Sequence, residues 1–166
     1  MITAAIPRPP VHGADDLPPL VRRARLQDAP GLHALSLAFI RSGALRPRSI
    51  DHYRAHAGEF LLASGRGRTG PLGCLALSDE GEGAAVLYNF CVARGSQGQG
   101  LGAVLLRAAF AEARGRSVRE LFTATTGGAA VFRRYGFQPA APGRAPAAWA
   151  GALDPARGSE VLVRRV

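Results

Sequence analysis

Gln97-Gly98-Gln99-Gly100-Leu101-Gly102 lies between an apolar run ending at Val92 and a segment in which Leu101, Val104, Leu105, Ala108 and Ala109 recur at helical spacing up to Arg114-Gly115. Glycines here let the backbone turn tightly and aim several N–H groups at one point, and a helix start adds its partial positive charge. The segment therefore suits a diphosphate. The plainer reading is a strand-to-helix turn that needs glycine for conformation alone. Two other phosphate loops are excluded. A Walker A loop needs a lysine after its last glycine, and the chain contains no lysine. A dinucleotide fingerprint needs GxGxxG and an acidic residue ending the next strand, whereas the glycines here run GxGxG and Glu120 precedes its strand.

Upstream, Phe60–Ala63, Leu72–Leu77 and Ala84–Val92 are apolar runs separated by turn residues, which predicts three antiparallel strands. Before them, Val21–Leu26 predicts a strand, and Asp28-Ala29-Pro30 opens a helix that carries Leu32, Leu35, Leu37, Phe39 and Ile40 and ends near Ser42-Gly43. Ser49 has capping character for a second helix to about Ala57. Residues 1–20, with five prolines from Pro7 to Pro19, are expected to form a loose arm, so the folded domain spans 21–166. Downstream, Leu121–Thr125 predicts a strand, Ala129–Arg134 a short helix, Phe137–Ala140 a strand start and Ser159–Val166 the last strand. Residues 141–158, rich in alanine and proline around Trp149, receive no element.

The 166 residues suit one domain, and 47% hydrophobic with 20% charged residues is ordinary globular usage. A net charge of +9 raises the question of nucleic acid. The arginines that carry it are scattered in small clusters, so a nucleic-acid partner is not expected. Cys74 and Cys91 lie in apolar runs and are expected to be reduced structural thiols. The chain has no charged start followed by an apolar stretch, and no run approaches the roughly 18 apolar residues of a membrane span, so a soluble, cytoplasmic protein is expected. His52 and His56 are four apart on a predicted helix, a metal-binding spacing, but with no third ligand evident they are read as an exposed face, and no metal is expected.

The order strand, Gln-Gly-Gln-Gly-Leu-Gly, helix, strand ending in Thr125-Thr126, then Phe132-Arg133-Arg134-Tyr135-Gly136-Phe137 resembles the Gcn5-related N-acetyltransferase (GNAT) superfamily over roughly residues 21–140. Val21–Arg25, Gln27–Pro30, Leu45–Ser49 and Gly73–Leu77 resemble the acetyltransferase domain of N-acetylglutamate synthases. The segment from Thr125 onward also resembles small acetyltransferases associated with arsenic resistance. The resemblance implies a single α/β domain of α+β type, with a mixed, mostly antiparallel central sheet flanked by helices. It also implies acetyl-CoA as cofactor and a small-molecule amine as acceptor; from composition the chain is expected to fold by itself or as a homodimer.

Carried over by position, the resemblance assigns Gln97, Gly98, Gln99, Gly100, Leu101 and Gly102 to the pyrophosphate. It assigns the backbone of Phe90, Cys91 and Val92 to the pantetheine arm, where the fourth strand splays from the fifth. The N–H of Val92 would then donate to the thioester oxygen. Phe132 stands where the family places a catalytic tyrosine and falls to the cofactor side, leaving Tyr135, three residues on, as the candidate acid. Val86-Leu87-Tyr88 replaces a charged E-I-R-type stretch, which leaves Tyr88 and Asn89 as polar candidates toward the acceptor. Arg48 could clamp an acceptor carboxylate. The competing readings are a resistance acetyltransferase acting on a toxic amine or antibiotic and a CoA-binding module that has lost its chemistry.

Overall fold

The computed structural model describes residues 19–65, 67, 69–141 and 143–166; the predicted arm over residues 1–18 lies outside them. The three apolar runs form the antiparallel meander β2 (Phe60–Ser64), β3 (Gly73–Gly81) and β4 (Ala84–Val92). A first strand, β1 (Leu20–Arg23), pairs with β2. It starts inside the stretch expected to be arm and stops short of Leu26. The cause is Asp28, whose carboxylate accepts from the Arg25 amide and the Arg22 guanidinium and pulls the chain into a 3-10 turn over Leu26–Asp28. Downstream, β5 (Glu120–Thr125) runs parallel to β4, and β7 (Glu160–Arg165) pairs with β5 and with the short edge strand β6 (Gln138–Pro139). The sheet order is β1-β2-β3-β4-β5-β7-β6.

Helices cover both faces. α1 (Ala29–Arg41) and α2 (Ile50–Ala55) lie on one side, and α3 (Leu101–Gly115) lies on the other. Ser49 caps α2 as expected, its hydroxyl accepting from the His52 amide, but the helix ends at Ala55 and passes into a 3-10 turn over Ala57–Glu59. α4 (Ala129–Arg134) follows β5, and the unassigned alanine-rich stretch contains α5 (Ala147–Gly151) and a 3-10 turn at Pro155–Arg157. Among the described residues no helix is long and apolar enough to cross a membrane.

Because both faces are covered, β2 and the first half of β3 are apolar at successive positions, yet their two sides separate cleanly. Leu61, Ala63, Leu75 and Leu77 pack toward α3, while Phe60, Leu62, Cys74 and Ala76 pack toward α1 and α2. In β4 this alternation breaks. Ala85 and Leu87 face the α3 layer, and so do Phe90 and Val92, while Tyr88 and Cys91 face the other. An extra residue has been inserted: Cys74 pairs with Cys91 but Ala76 pairs with Tyr88. The bulge is at Asn89, which adopts φ +53°.

β4 and β5 pair only through Ala84–Val86 and Glu120–Phe122. Beyond Val86 the two strands continue without pairing, and a wedge opens between them. The bulge that bends β4 begins three residues past the last paired position, so sheet geometry itself makes room for a ligand.

Candidate active site

The wedge leads into a cavity of about 680 Å³, with one wall from β4 and the start of α3, another from Thr123–Gly128 and α4, and a far end formed by the α1–α2 connection and the α5 region. Its two halves are built differently.

The first half is mostly backbone. The Ala93 amide donates to the Leu72 carbonyl at 2.7 Å. Since N–H directions alternate along a strand, the Val92 N–H points away from β3 into the wedge. The Val92 carbonyl points the same way and accepts from Gln97 Nε2 at 3.0 Å, which ties the glycine loop to the end of the strand. Gly98 and Gly100 lie at φ +77° and +79°, and Gly100 is the N-cap of α3 without any side-chain cap. The Val104 amide is the first to bond back, to the Gly100 carbonyl, so the amides of Leu101, Gly102 and Ala103 have no partner within the helix. Gly102 is closely packed: a Cβ there would sit 3.2 Å from Phe90 Cζ, and that ring would have to give by a few tenths of an ångström. Open amides, a fifteen-residue helix start and an unpaired strand edge fit a pantetheine diphosphate.

Of the residues expected to hold cofactor, Phe90, Cys91, Val92, Gln97, Gly98, Gly100, Leu101, Gly102 and Phe132 line this cavity. Gln99 does not: it is exposed, and its amide reaches back to the Gly95 carbonyl. Phe132 is packed between Phe90 and Phe137, with ring centroids at 5.8 and 5.4 Å. Tyr135 requires a correction. It is the C-cap of α4, where the chain leaves helical geometry, and its ring turns to Phe110 on α3, outside the cavity lining. Shared helical facing with Phe132 ends with the helix.

The second half is made of side chains. Arg48 is half-buried, with its guanidinium carbon 4.7 Å over the Tyr88 ring. Among the described residues no carboxylate pairs with it. Burial disfavours its charge; Tyr88 and then Tyr53 oppose this, and the neighbouring Arg46 and Arg157 add smaller effects in the same direction as burial. All three arginines line the same end of the cavity, and Arg157 also donates to the Gly43 carbonyl at 2.9 Å, joining the end of α1 to the α5 region. Trp149 lines the cavity as well, 6.4 Å from Phe122.

Asn89, expected to face the acceptor, has its side chain in the core. Its Oδ1 accepts from the Tyr53 hydroxyl at 3.1 Å and its Nδ2 donates to Ser36 Oγ at 2.9 Å, so the amide holds the bulge in place. The exposed-face reading of His52 is also corrected. His52 stacks on His56 at 4.4 Å and lies edge-on to Tyr53 and Tyr88, with Nε2 buried and without a partner. Burial first, then the Arg48 charge, lowers its pKa to about 4. Among the described residues no group of three or more His, Cys, Asp or Glu side chains is placed to hold a metal. Cys74 and Cys91 are free and buried, with sulfurs 3.7 Å apart.

The sequence pattern gave no role to Glu59, Trp149 or Arg157. Arg157 follows an N-cap signal, Asp154-Pro155, that predicts a turn but not its direction. Glu59 carries no signal beyond its place just before a strand.

The sequence matches the family model described as an acetyltransferase (GNAT) domain over residues 56–139. An amino-acid acetyltransferase of Azotobacter vinelandii is 34% identical over 147 residues, covering 86% of this chain and 33% of that protein. The chain thus spans about a third of the length of the first curated relatives it matches. An uncharacterised N-acetyltransferase of Chlorobaculum tepidum is 26% identical, over 71% of this chain and 74% of its own length. Among solved structures, N-acetylglutamate synthase of Neisseria gonorrhoeae, complexed with coenzyme A and N-acetyl-glutamate, superimposes with a TM-score of 0.83 at 28% identity, over 90% of this chain and 35% of that one.

Proposed function

Since the chain belongs to the GNAT acetyltransferase family, we propose that it moves the acetyl group of acetyl-CoA to the amine of a small, carboxylate-bearing acceptor such as an amino acid. The observation that carries this reading is the half-buried, carboxylate-free Arg48 at the opposite end of one cavity from the open amides of the glycine loop. An acceptor carboxylate bound bidentately to Arg48 would offset the burial of that charge, and Arg46 and Arg157 extend the positive field. The names of the amino-acid acetyltransferase relatives and of the N-acetyl-glutamate complex agree with such an acceptor.

In this reading the amides of Leu101, Gly102 and Ala103 hold the diphosphate, and the free edge of β4 aligns the pantetheine arm. The bound cofactor supplies an activated acetyl thioester. The Val92 N–H, which points into the wedge, would be the donor for the thioester oxygen and would stabilise charge building there as the amine attacks. Holding amine and thioester in line supplies much of the remaining rate. Phe132 has no proton to give, and Tyr135 lies outside the cavity, so thiolate departure does not depend on a tyrosine from α4.

Thiol release from acetyl-CoA, measured with L-glutamate, L-glutamine and amines lacking a carboxylate, tests the reading. Turnover that needs the carboxylate is expected. Failure to bind acetyl-CoA would sink it, and a preference for carboxylate-free amines would favour the resistance reading. Phe132 favours a further alternative, a CoA-binding module without chemistry; calorimetry showing binding without turnover would establish that one.

A further inference from the structure

Tyr88 forms part of the cavity wall beside Arg48, and its hydroxyl does not end there. It donates to Glu59 Oε2 at 2.6 Å, and Glu59 Oε1 lies 2.8 Å from His56 Nδ1. The side chains of Glu59 and His56 are 29% and 44% exposed. A row of three titratable groups joined by these two contacts thus runs from cavity-lining Tyr88, past the C-terminal end of α2, to the partly exposed His56. We infer that Tyr88, Glu59 and His56 form the proton exit of the site: Tyr88 Oη takes a proton from the acceptor ammonium as its own passes to Glu59. This inference rests on the acetyltransferase reading and deepens it by naming the base.

The balance is simple. The ammonium loses two protons in becoming an amide. The first goes to Tyr88 Oη while the phenol proton moves to the Glu59 carboxylate, and from there to His56 Nδ1 or water. The neutral amine then attacks the thioester carbon, the carbon–sulfur bond breaks, and the second proton ends on the departing thiolate sulfur. No oxidant or further reactant is needed.

The surroundings suit a relay and not a lone base. Burial, and then the hydrogen bond to Glu59, push the Tyr88 phenol well above its usual range, so it stays protonated and can only pass a proton on. The charged and titratable groups facing Tyr88 are Arg48 from the α1–α2 connection, His52 and Tyr53 from α2, and Glu59 from the 3-10 turn. His52 stays neutral behind it, since its own pKa is held to about 4. Arg48 over the ring lowers the cost of transient negative charge on the phenol oxygen. The chemistry of the charged stretch that Val86-Leu87-Tyr88 replaces is thereby supplied from another segment.

Glu59→Gln and Tyr88→Phe test the route in thiol-release assays with L-glutamate, or the best amine of the panel, between pH 6.5 and 9.5. Each is expected to lower kcat at neutral pH by about 100-fold, the usual scale of general-base catalysis. The pair together should cost little more than either alone. The deficit should narrow as pH rises and free amine replaces ammonium, while the acetyl-CoA Kd measured by calorimetry stays unchanged. A merely structural role would lower rates alike at every pH. Active variants with the wild-type pH profile would overturn the relay and leave the acetyltransferase reading intact. A wild-type chain that releases no thiol with any amine overturns both. Should Glu59→Gln fail to fold, Tyr88→Phe, which removes only a hydroxyl, decides between the same outcomes.

Discussion

The two halves of the cavity solve different problems with different materials. In the proposed reading, the cofactor meets backbone amides of Val92 and of the first turn of α3, aimed by glycines at positive φ and by a bulge in β4. In the same reading the acceptor meets the side chains of Arg48, Tyr88, Trp149 and Arg157, which line the other end of the cavity and come from three separate segments. A site made of backbone tolerates change in most side chains but not in the conformation of a few residues. A site made of side chains is reset by single substitutions. The same scaffold can therefore keep its cofactor while changing its acceptor.

Substitution should separate the halves. Gly98→Val with Gly100→Val puts two β-branched residues at φ near +78°, each costing about 1–3 kcal/mol unless the loop moves. The loop should move, and acetyl-CoA Kd measured by calorimetry should rise about 100-fold or more. Arg48→Ala should do the opposite: loss of a charge-assisted, bidentate contact raises the acceptor KM by about 10–100-fold and leaves acetyl-CoA binding within about twofold. If Arg48→Ala instead weakened acetyl-CoA and spared the acceptor, the division would be broken.

A smaller effect sharpens the contrast in pH. His52 backs the acceptor half with its pKa lowered from 6.5 to about 4, so the unfolded chain binds its proton more readily than the folded one. Its contribution to stability is full above about pH 6.5 and is lost as pH falls toward about 4. After solvent screening this amounts to about 1–2 kcal/mol. His52→Phe should flatten that part of the stability curve, as followed by thermal denaturation from pH 7 to 4. The smallest effect belongs to Tyr135→Phe, expected to leave kcat within about twofold, because its ring packs on Phe110 away from the cavity.

Legibility in the sequence followed the same division. The glycine loop announced itself because only glycine readily supplies that backbone, and absent lysine removed its main competitor. The bounds of β4 and α4 could be read directly, because turn residues bracket them. The bulge at Asn89 could not, since a strand covered on both faces is apolar on either side of it, from Ala84 to Leu87 and from Phe90 to Val92, which hides a shift in alternation. Glu59 and Arg157 were silent for another reason: their roles depend on side chains converging from distant segments, which no local spacing encodes. Tyr135 misled because helical spacing does not continue into the residue past the helix end.

The division rests on where the thioester lies relative to Val92 and Arg48. A crystal structure with acetyl-CoA and an amino-acid acceptor would place both. The expected result is a thioester oxygen at hydrogen-bonding distance from the Val92 amide, about 3 Å, with the acceptor carboxylate on Arg48 and its amine facing Tyr88. A pantetheine arm lying away from the free edge of β4, or an acceptor carboxylate bound elsewhere with Arg48 still stacked on Tyr88 and unpaired, would contradict it.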